Sequence, residues 1–356
     1  MKKKSIAVLF GGCSTEYEVS LKSAASVIDH VDRNRYHIVM VGITREGRWL
    51  KYHGSTEDIR QDRWHAHPAC LPACLSPSRD VGGLIVLVGT EYHLTPIDAV
   101  FPVLHGKNGE DGTVQGLLEL SGIPFVGCGS LSSAIGMDKE IAHTLVRAAG
   151  IETAESIAIW DDEPLDTALD AAARLGFPLY VKPARSGSSL GITKACNKQE
   201  LMAGAILAFS HDNKIVIEQH VNGFEAGCAV LGDADPIVGE VDEIELRDGF
   251  FNYHEKYTLE TSVIHMPARI DADTAARIKA AALTVYRTLG CRGLARVDLF
   301  LTDEGKIVFN EVNTMPGFTS ASRYPNMLRG IGLSFPDILD RLIQLALAEE
   351  RSACIK

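Results

Sequence analysis

The sequence predicts an α/β protein of more than one domain, opening on a doubly wound parallel sheet. Three observations carry that expectation. A β-branched, apolar run at residues 5–10 stops at Gly11-Gly12, and a helical pattern begins soon after, around residues 19–28. Strand, glycine-rich turn and helix form the opening unit of such a sheet. Short apolar runs and amphipathic stretches then alternate along the chain. At 356 residues the chain exceeds what one core comfortably holds, so two or three domains follow.

In order, residues 36–43 read as the next strand, and residues 57–78, with prolines, a tryptophan and cysteines but no period, as an irregular surface excursion. Strands follow at 84–88 and 99–104, a polar glycine-rich turn at 105–112, a short helix at 114–120, and a closing segment at 122–129. A helix runs from Lys139 to about Ala149, and a strand at 179–181 leads into a second loop of glycines and serines at 182–191. Further strands are read at 215–218, 226–231, 294–301 and 306–310, and helices at 275–289 and 335–348. Residues 248–259 are aromatic, polar and aperiodic, the character of a functional loop.

Composition narrows the function classes. A net charge of −11 argues against broad nucleic-acid binding, which needs a basic footprint. The lysines at the N-terminus precede an apolar run too short for a signal peptide, and nothing approaches the roughly 18 apolar residues of a membrane span, so a cytoplasmic location is expected. Eight cysteines are scattered without zinc-site spacing and read as free thiols.

Three constellations carry chemistry. Gly11-Gly12 with Glu16 and Glu18 at a helix start is one way to hold a small charged ligand. The loop KPARSGSSLG at 182–191 places Lys182 at a strand end before small residues whose N–H and hydroxyl groups, Ser188 and Ser189 among them, suit a polyphosphate. The spacing is not that of the P-loop. Arg296-Val297-Asp298 on one strand precedes Asn310-Glu311-Val312-Asn313 on the next. Strand alternation puts Asp298, Glu311 and Asn313 on one side, an oxygen-donor set suited to Mg²⁺ shared with phosphate.

The ordered motifs GG…EVS, HGKNGEDG, MDK, KPARSGSSLG, EKY, RVD and NEVNTMPGFT resemble the D-alanine–D-alanine ligase family of the ATP-grasp superfamily, from Ile6 to about Ala348. The resemblance implies three domains: an N-terminal α/β domain at 1–128, a central ATP-grasp subdomain at 129–222 and a C-terminal one at 223–350. It implies ATP as cosubstrate, two Mg²⁺ ions replaceable by Mn²⁺, D-amino acid substrates, and a homodimer binding neither nucleic acid nor membrane. Glu18 is then the carboxylate holding the first D-alanine's ammonium, with Ser188 and Tyr257 closing the 248–259 loop over it and His105 alongside. Lys139, Lys182 and Ser189 fall on the ATP phosphates, Lys256 on the γ-phosphate, and Glu218 and Glu225 on adenine and ribose. Asp298, Glu311 and Asn313 match the metal ligands. Arg296 and the backbone at Gly317 match the oxyanion-stabilising groups, and Ser322 matches the contact to the second substrate's carboxylate. The implied product is a peptidoglycan-precursor dipeptide formed through a D-alanyl phosphate.

The second substrate turns on Arg323. Housekeeping members usually carry an apolar residue there, whereas Arg323 together with an intact Lys256-Tyr257 loop, Asp242 and Phe251 resembles the vancomycin-resistance D-alanine–D-serine ligases. Arg323 is expected to reach the serine hydroxyl directly or through neighbours. A D-alanine–D-alanine ligase is the alternative.

Overall fold

The computed structural model describes residues 3–246 and 262–353. The chain opens with β1 (Lys4–Gly11), α1 (Tyr17–His30) and β2 (Tyr36–Ile43). β1 runs parallel to β2, Lys4 opposite Tyr36 and Gly11 opposite Ile43. The turn that follows needs glycine. Gly11 has a φ of +88°, and a Cβ there would stand 2.1 Å from the Ile43 carbonyl oxygen.

Next come β3 (Trp49–Tyr52), α2 (Thr56–Arg60), β4 (Leu71–Leu75), β5 (Gly83–Val88), β6 (Glu91–Pro96), β7 (Ala99–Pro102) and α3 (Thr113–Ser121). The described strands form a seven-stranded sheet in the order β6-β5-β4-β3-β2-β1-β7. Its β2-β1-β7 part is the expected parallel core, while β3 to β6 extend it antiparallel from β2.

Residues 57–78 are not an irregular excursion. They contain α2, a 3₁₀ turn and β4, organised around Trp64, which is wholly buried. Its ring packs edge-on to Phe10 at 4.9 Å and covers Gly42, where a Cβ would meet it at 2.2 Å. Its indole N–H donates to the Tyr17 hydroxyl at 3.1 Å. One large aromatic anchors this segment, so no hydrophobic period announces it.

After α4 (Ser130–Met137) and α5 (Lys139–Ala148) comes the two-residue β8 (Glu152–Thr153). β8 pairs with β17 of the last sheet, and both helices pack there. Residues 130–153 therefore join the C-terminal sheet, not the central unit to which the sequence reading assigned them. The central unit comprises β9 (Ser156–Trp160), α6 (Leu165–Ala172), β10 (Leu179–Pro183), β11 (Thr193–Ala195), α7 (Lys198–Phe209) and β12 (Lys214–Gln219). Its antiparallel sheet, β11-β10-β12-β9, is covered by α6 and α7 through Leu169, Leu201 and Ala205.

The last sheet has the order β15-β14-β13-β16-β17-β8, built from β13 (Gly223–Leu231), β14 (Ile237–Leu246), β15 (Ser262–His265), β16 (Leu294–Thr302) and β17 (Ile307–Asn313). α8 (Ala272–Thr288) backs it through Ile278, Ala282 and Val285. α9 (Arg323–Gly330) and α10 (Phe335–Ala353) end the described chain. α10 returns to the N-terminal sheet. Ile338, Leu342 and Ile343 share a core with Ile6, Val8 and Phe101, and the Tyr36 hydroxyl donates to Asp340 at 2.6 Å. No helix among the described residues is long and apolar enough to cross a membrane.

Candidate active site

The four- and six-stranded sheets face each other across a cleft of about 510 Å³, whose lining includes Tyr180, Lys182, Glu218, Phe224, Phe309 and Glu311. Aromatic walls with a few convergent charges suit a nucleotide-sized ligand. Register places Tyr180 opposite Glu218 on β10 and β12, and the Lys182 ammonium donates to Glu218 at 2.6 Å. Burial presses the Lys182 pKa down, but the charge and hydrogen bond of Glu218, with Glu311 and Glu225 nearby, prevail and raise it. For Glu218, burial opposes ionisation, yet Lys182 carries the net shift below the ordinary carboxylate range.

Lys139 opens α5, and its ammonium donates to the Ser186 carbonyl at 2.8 Å and lies 3.8 Å from Glu311. It thereby ties the serine-rich loop to β17. Ser188 and Ser189 both adopt left-handed backbone (φ 52° and 57°), costing about 1–2 kcal/mol each. Strain of that kind persists where a loop must aim its groups at a site.

Asp298 and Glu311 are direct partners on β16 and β17, with a bulge just beyond Asp298, and Asn313 lies opposite Arg296. The buried Asp298 carboxylate accepts from Arg296 Nε at 2.8 Å and Nη2 at 2.6 Å, and from Asn313 Nδ2 at 2.9 Å. Two carboxylates and one amide are hard donors too few for a full protein cage. They fit a divalent cation that completes its shell with phosphate and water oxygens. Glu311 and Asn313 also line a smaller cavity beside Lys139, Ser186, Gly187 and Glu110.

Beyond that cavity lies Glu16, not Glu18. The Ser188 hydroxyl donates to the Glu16 carboxylate, which is only 8% exposed. Glu18 is 74% exposed on the solvent side of α1, 3.3 Å from Arg45. Glu16 is the N-cap residue before α1 and is buried, whereas Glu18 in the first turn points to solvent, so the expected role for Glu18 fails on position. Gly106 and Gly187 hem Glu16 in; a Cβ on either would come within 2.3 and 2.8 Å of its Oε2.

His105 stands beside Glu16, its Nδ1 2.8 Å from the Met315 carbonyl and its Nε2 3.1 Å from Ser23 Oγ. Burial pushes its pKa down, against the opposing pull of Glu16. Glu110, not singled out by sequence, accepts the backbone N–H groups of Gly106 at 2.8 Å and Met315 at 3.0 Å. It clamps the HGKNGEDG turn to the TMPGFT turn. Its place in the HGKNGEDG motif was the available signal.

The TMPGFT turn leads to Ser322, whose hydroxyl accepts the Thr319 N–H at 3.0 Å, with Gly317 close by. Arg323, 9% exposed, forms a bidentate pair with Asp242 (2.8 Å for both bonds) and donates to Glu225 at 3.1 Å. A third carboxylate, Asp298, is 3.5 Å away. Every guanidinium nitrogen is engaged by a carboxylate. Of the two expected routes to a substrate hydroxyl, this geometry favours the indirect one. Glu225 lines the cleft as expected of a ribose contact but is shared with Arg323. Phe251, Lys256 and Tyr257, and the loop expected at 248–259, lie outside the described residues.

Family models for the D-Ala–D-Ala ligase N-terminus and C-terminus match residues 5–128 and 145–344. The chain belongs to the D-alanine–D-alanine ligase family. As a member it is an ATP-dependent ligase with an ATP-grasp fold, acting with a divalent metal on D-alanine and a second small substrate. The ligase is 46% identical to the vancomycin/teicoplanin A-type resistance protein VanA of Enterococcus faecium, over 98% of this chain and 99% of that protein. It is 43% identical to a D-alanine–D-alanine ligase of Caldicellulosiruptor bescii, over 99% and 97%. The crystal structure of the VanG D-Ala:D-Ser ligase from Enterococcus faecalis superposes with a TM-score of 0.90 at 54% identity, covering 97% of this chain and all of that one.

Proposed function

We propose that this ligase joins D-alanine to D-serine through a D-alanyl phosphate, as an enzyme of the vancomycin-resistance type. The observation that carries the reading is the buried Arg323–Asp242 pair beside Ser322, at the end of the site where the second substrate would lie. Asp242 held rigidly by a bidentate guanidinium is a fixed polar group that a serine hydroxyl can meet and a methyl group cannot. The 54% identity to a solved D-Ala:D-Ser ligase supports the same choice.

In this reading Glu16 takes the first D-alanine's ammonium, held by Ser188, with His105 beside it. Lys139, Lys182 and the Ser188–Ser189 loop hold phosphate, Lys256 reaches the γ-phosphate, and Tyr257 closes the loop. Asp298, Glu311 and Asn313 would hold two Mg²⁺ ions, or Mn²⁺ in their place, and such ions would supply positive charge against the transferred phosphoryl group. The first D-alanine's carboxylate attacks that group, and the second substrate's amine displaces phosphate. Arg296 and the Gly317 backbone stabilise the tetrahedral oxyanion between those states. The aromatic wall and Glu218 hold the base, with Glu225 at the ribose. We place the enzyme in the cytoplasm as a homodimer.

One competition experiment tests it. Given ATP, D-alanine and equal D-serine, the product by chromatography is mostly D-Ala–D-Ser, and D-lactate is used poorly. A preponderance of D-Ala–D-Ala makes this a housekeeping ligase.

A further inference from the structure

Asp138 and Lys139 stand together where α5 begins. Asp138 is buried, and its carboxylate caps the helix by accepting the Ile141 N–H at 3.3 Å. It also accepts from the Lys214 ammonium, which lies 2.9 Å from one oxygen and 3.0 Å from the other. Lys214 is 2% exposed at the start of β12. It pairs as well with the partly exposed Glu140 at 2.5 Å, and its ammonium lies 5.3 Å from the centre of the Trp160 ring.

The main chain closes a circuit around this pair. The Ala184 N–H donates to the Lys214 carbonyl at 2.9 Å, and the Lys139 N–H donates to the Ala184 carbonyl at 3.1 Å. Asp138, Lys214, Ala184 and Lys139 thus form a ring that spans two bodies. α5 packs on the six-stranded sheet, whereas Lys214 opens β12 and Ala184 follows β10 in the four-stranded unit. The chain enters and leaves that unit at its other end, where β9 starts and β12 stops. Register puts Glu218 opposite Ser156 there and Lys214 opposite Trp160 here, so the ring holds the end that no crossing holds.

Both lysines placed on phosphate sit at this end. Lys139 is part of the ring, and Lys182 precedes Ala184 by two residues on β10. A lysine side chain is long and flexible, so where its ammonium meets a phosphate depends on how firmly its backbone is fixed. A buried ion pair often stabilises a fold no more than apolar residues of like size, which leaves the geometry it imposes as its distinctive contribution.

We propose that Lys214 and Asp138 are positioning residues for phosphoryl transfer, their buried pair setting where the Lys139 ammonium meets the phosphates of the nucleotide. This rests on the placement of Lys139 on phosphate made above. The pair acts through Lys139 and touches no substrate itself.

The test measures inhibition constants of adenosine and of ADP, each against ATP, in the full-length ligase. Their ratio reports what the phosphates add to binding, and it is internal to each variant, so a general loss of folded enzyme cancels. Lys214→Met should lower the advantage of ADP over adenosine by about tenfold, the loss expected when a charged hydrogen bond is misplaced. Lys139→Met should lower it at least as much. Combining Lys214→Met with Asp138→Asn keeps a helix cap and leaves no stranded charge. That double variant should recover part of the melting temperature lost in the single one while still lacking the ADP advantage, a separation that a merely structural pair would not give. Should Lys214→Met not fold, the double variant carries the same comparison. A wild-type ratio in the Lys214 variants, including one in which both constants rise together, overturns the role of the pair alone. A wild-type ratio in Lys139→Met overturns the placement of Lys139 as well, and neither result touches the D-serine reading.

Discussion

Ser188 and Glu16 lie 172 positions apart and share a hydrogen bond. It joins the phosphate-loop edge of the central unit to the first helix of the N-terminal domain, across the gap where the substrates would meet. The contact thus draws one residue from each of the two units.

That contact separates two neighbouring carboxylates. Glu16→Gln should raise KM for the first D-alanine by about 10- to 150-fold, the range for losing a charge-assisted hydrogen bond to an ammonium. Glu18→Gln, on the exposed face beside Arg45, should stay within about twofold, as surface ion pairs contribute little. Steady-state kinetics at saturating ATP decide between them; equal effects would return Glu18 to the site.

The metal assignment makes its own demand. Glu311→Gln keeps size and fold but removes a charged ligand, so turnover should fall by at least about 100-fold, beyond what outer partners of metal sites usually cost. Near-normal activity at ordinary Mg²⁺, with an unchanged melting temperature, would falsify the metal role.

Arg323 affects stability as well as specificity. Arg323→Leu leaves Asp242 buried and unpaired, at a cost of about 3–5 kcal/mol. Adding Asp242→Asn should recover part of it, because the stranded charge is gone. Urea denaturation of the single and double variants measures both values, and a double variant no more stable than the single one breaks the argument.

Glu110 predicts a pH dependence. Burial first, and then the charge of Glu16, push its carboxyl up to about 8 from 4.5. The folded chain therefore keeps a proton that the unfolded chain releases. Stability from this group is full below about 4.5 and is lost as pH rises to about 8. Glu110→Gln should flatten the stability curve across that window. Denaturation midpoints at several pH values show it, and parallel curves for wild type and variant count against it.

Much of this was legible in the sequence, for physical reasons. The strand pair carrying Asp298 and Glu311 follows from alternation, and Lys182 from a lysine placed at a strand end before small residues. Glu16 was named beside Glu18, but the role went to Glu18 because two glutamates flank a helix start whose phase the sequence leaves open. Trp64 was missed because a single anchor has no period. The carboxylate ring around Arg323 draws on Glu225, Asp242 and Asp298 from three strands, a juxtaposition no local pattern reveals. Residues 130–153 were misassigned because a two-residue strand, β8, leaves almost no trace in a pattern.

That small strand has a mechanical consequence. β8 and β13 both belong to the six-stranded sheet, and the whole four-stranded unit is strung between them. α10 meanwhile fastens the end of the described chain to the N-terminal core. The outer bodies are latched together, and the central unit hangs from them by two short crossings at residues 154–155 and 220–222. A panel hung at two points on one edge turns about a single axis. A swing about that axis would open or shut the cleft between the four- and six-stranded sheets.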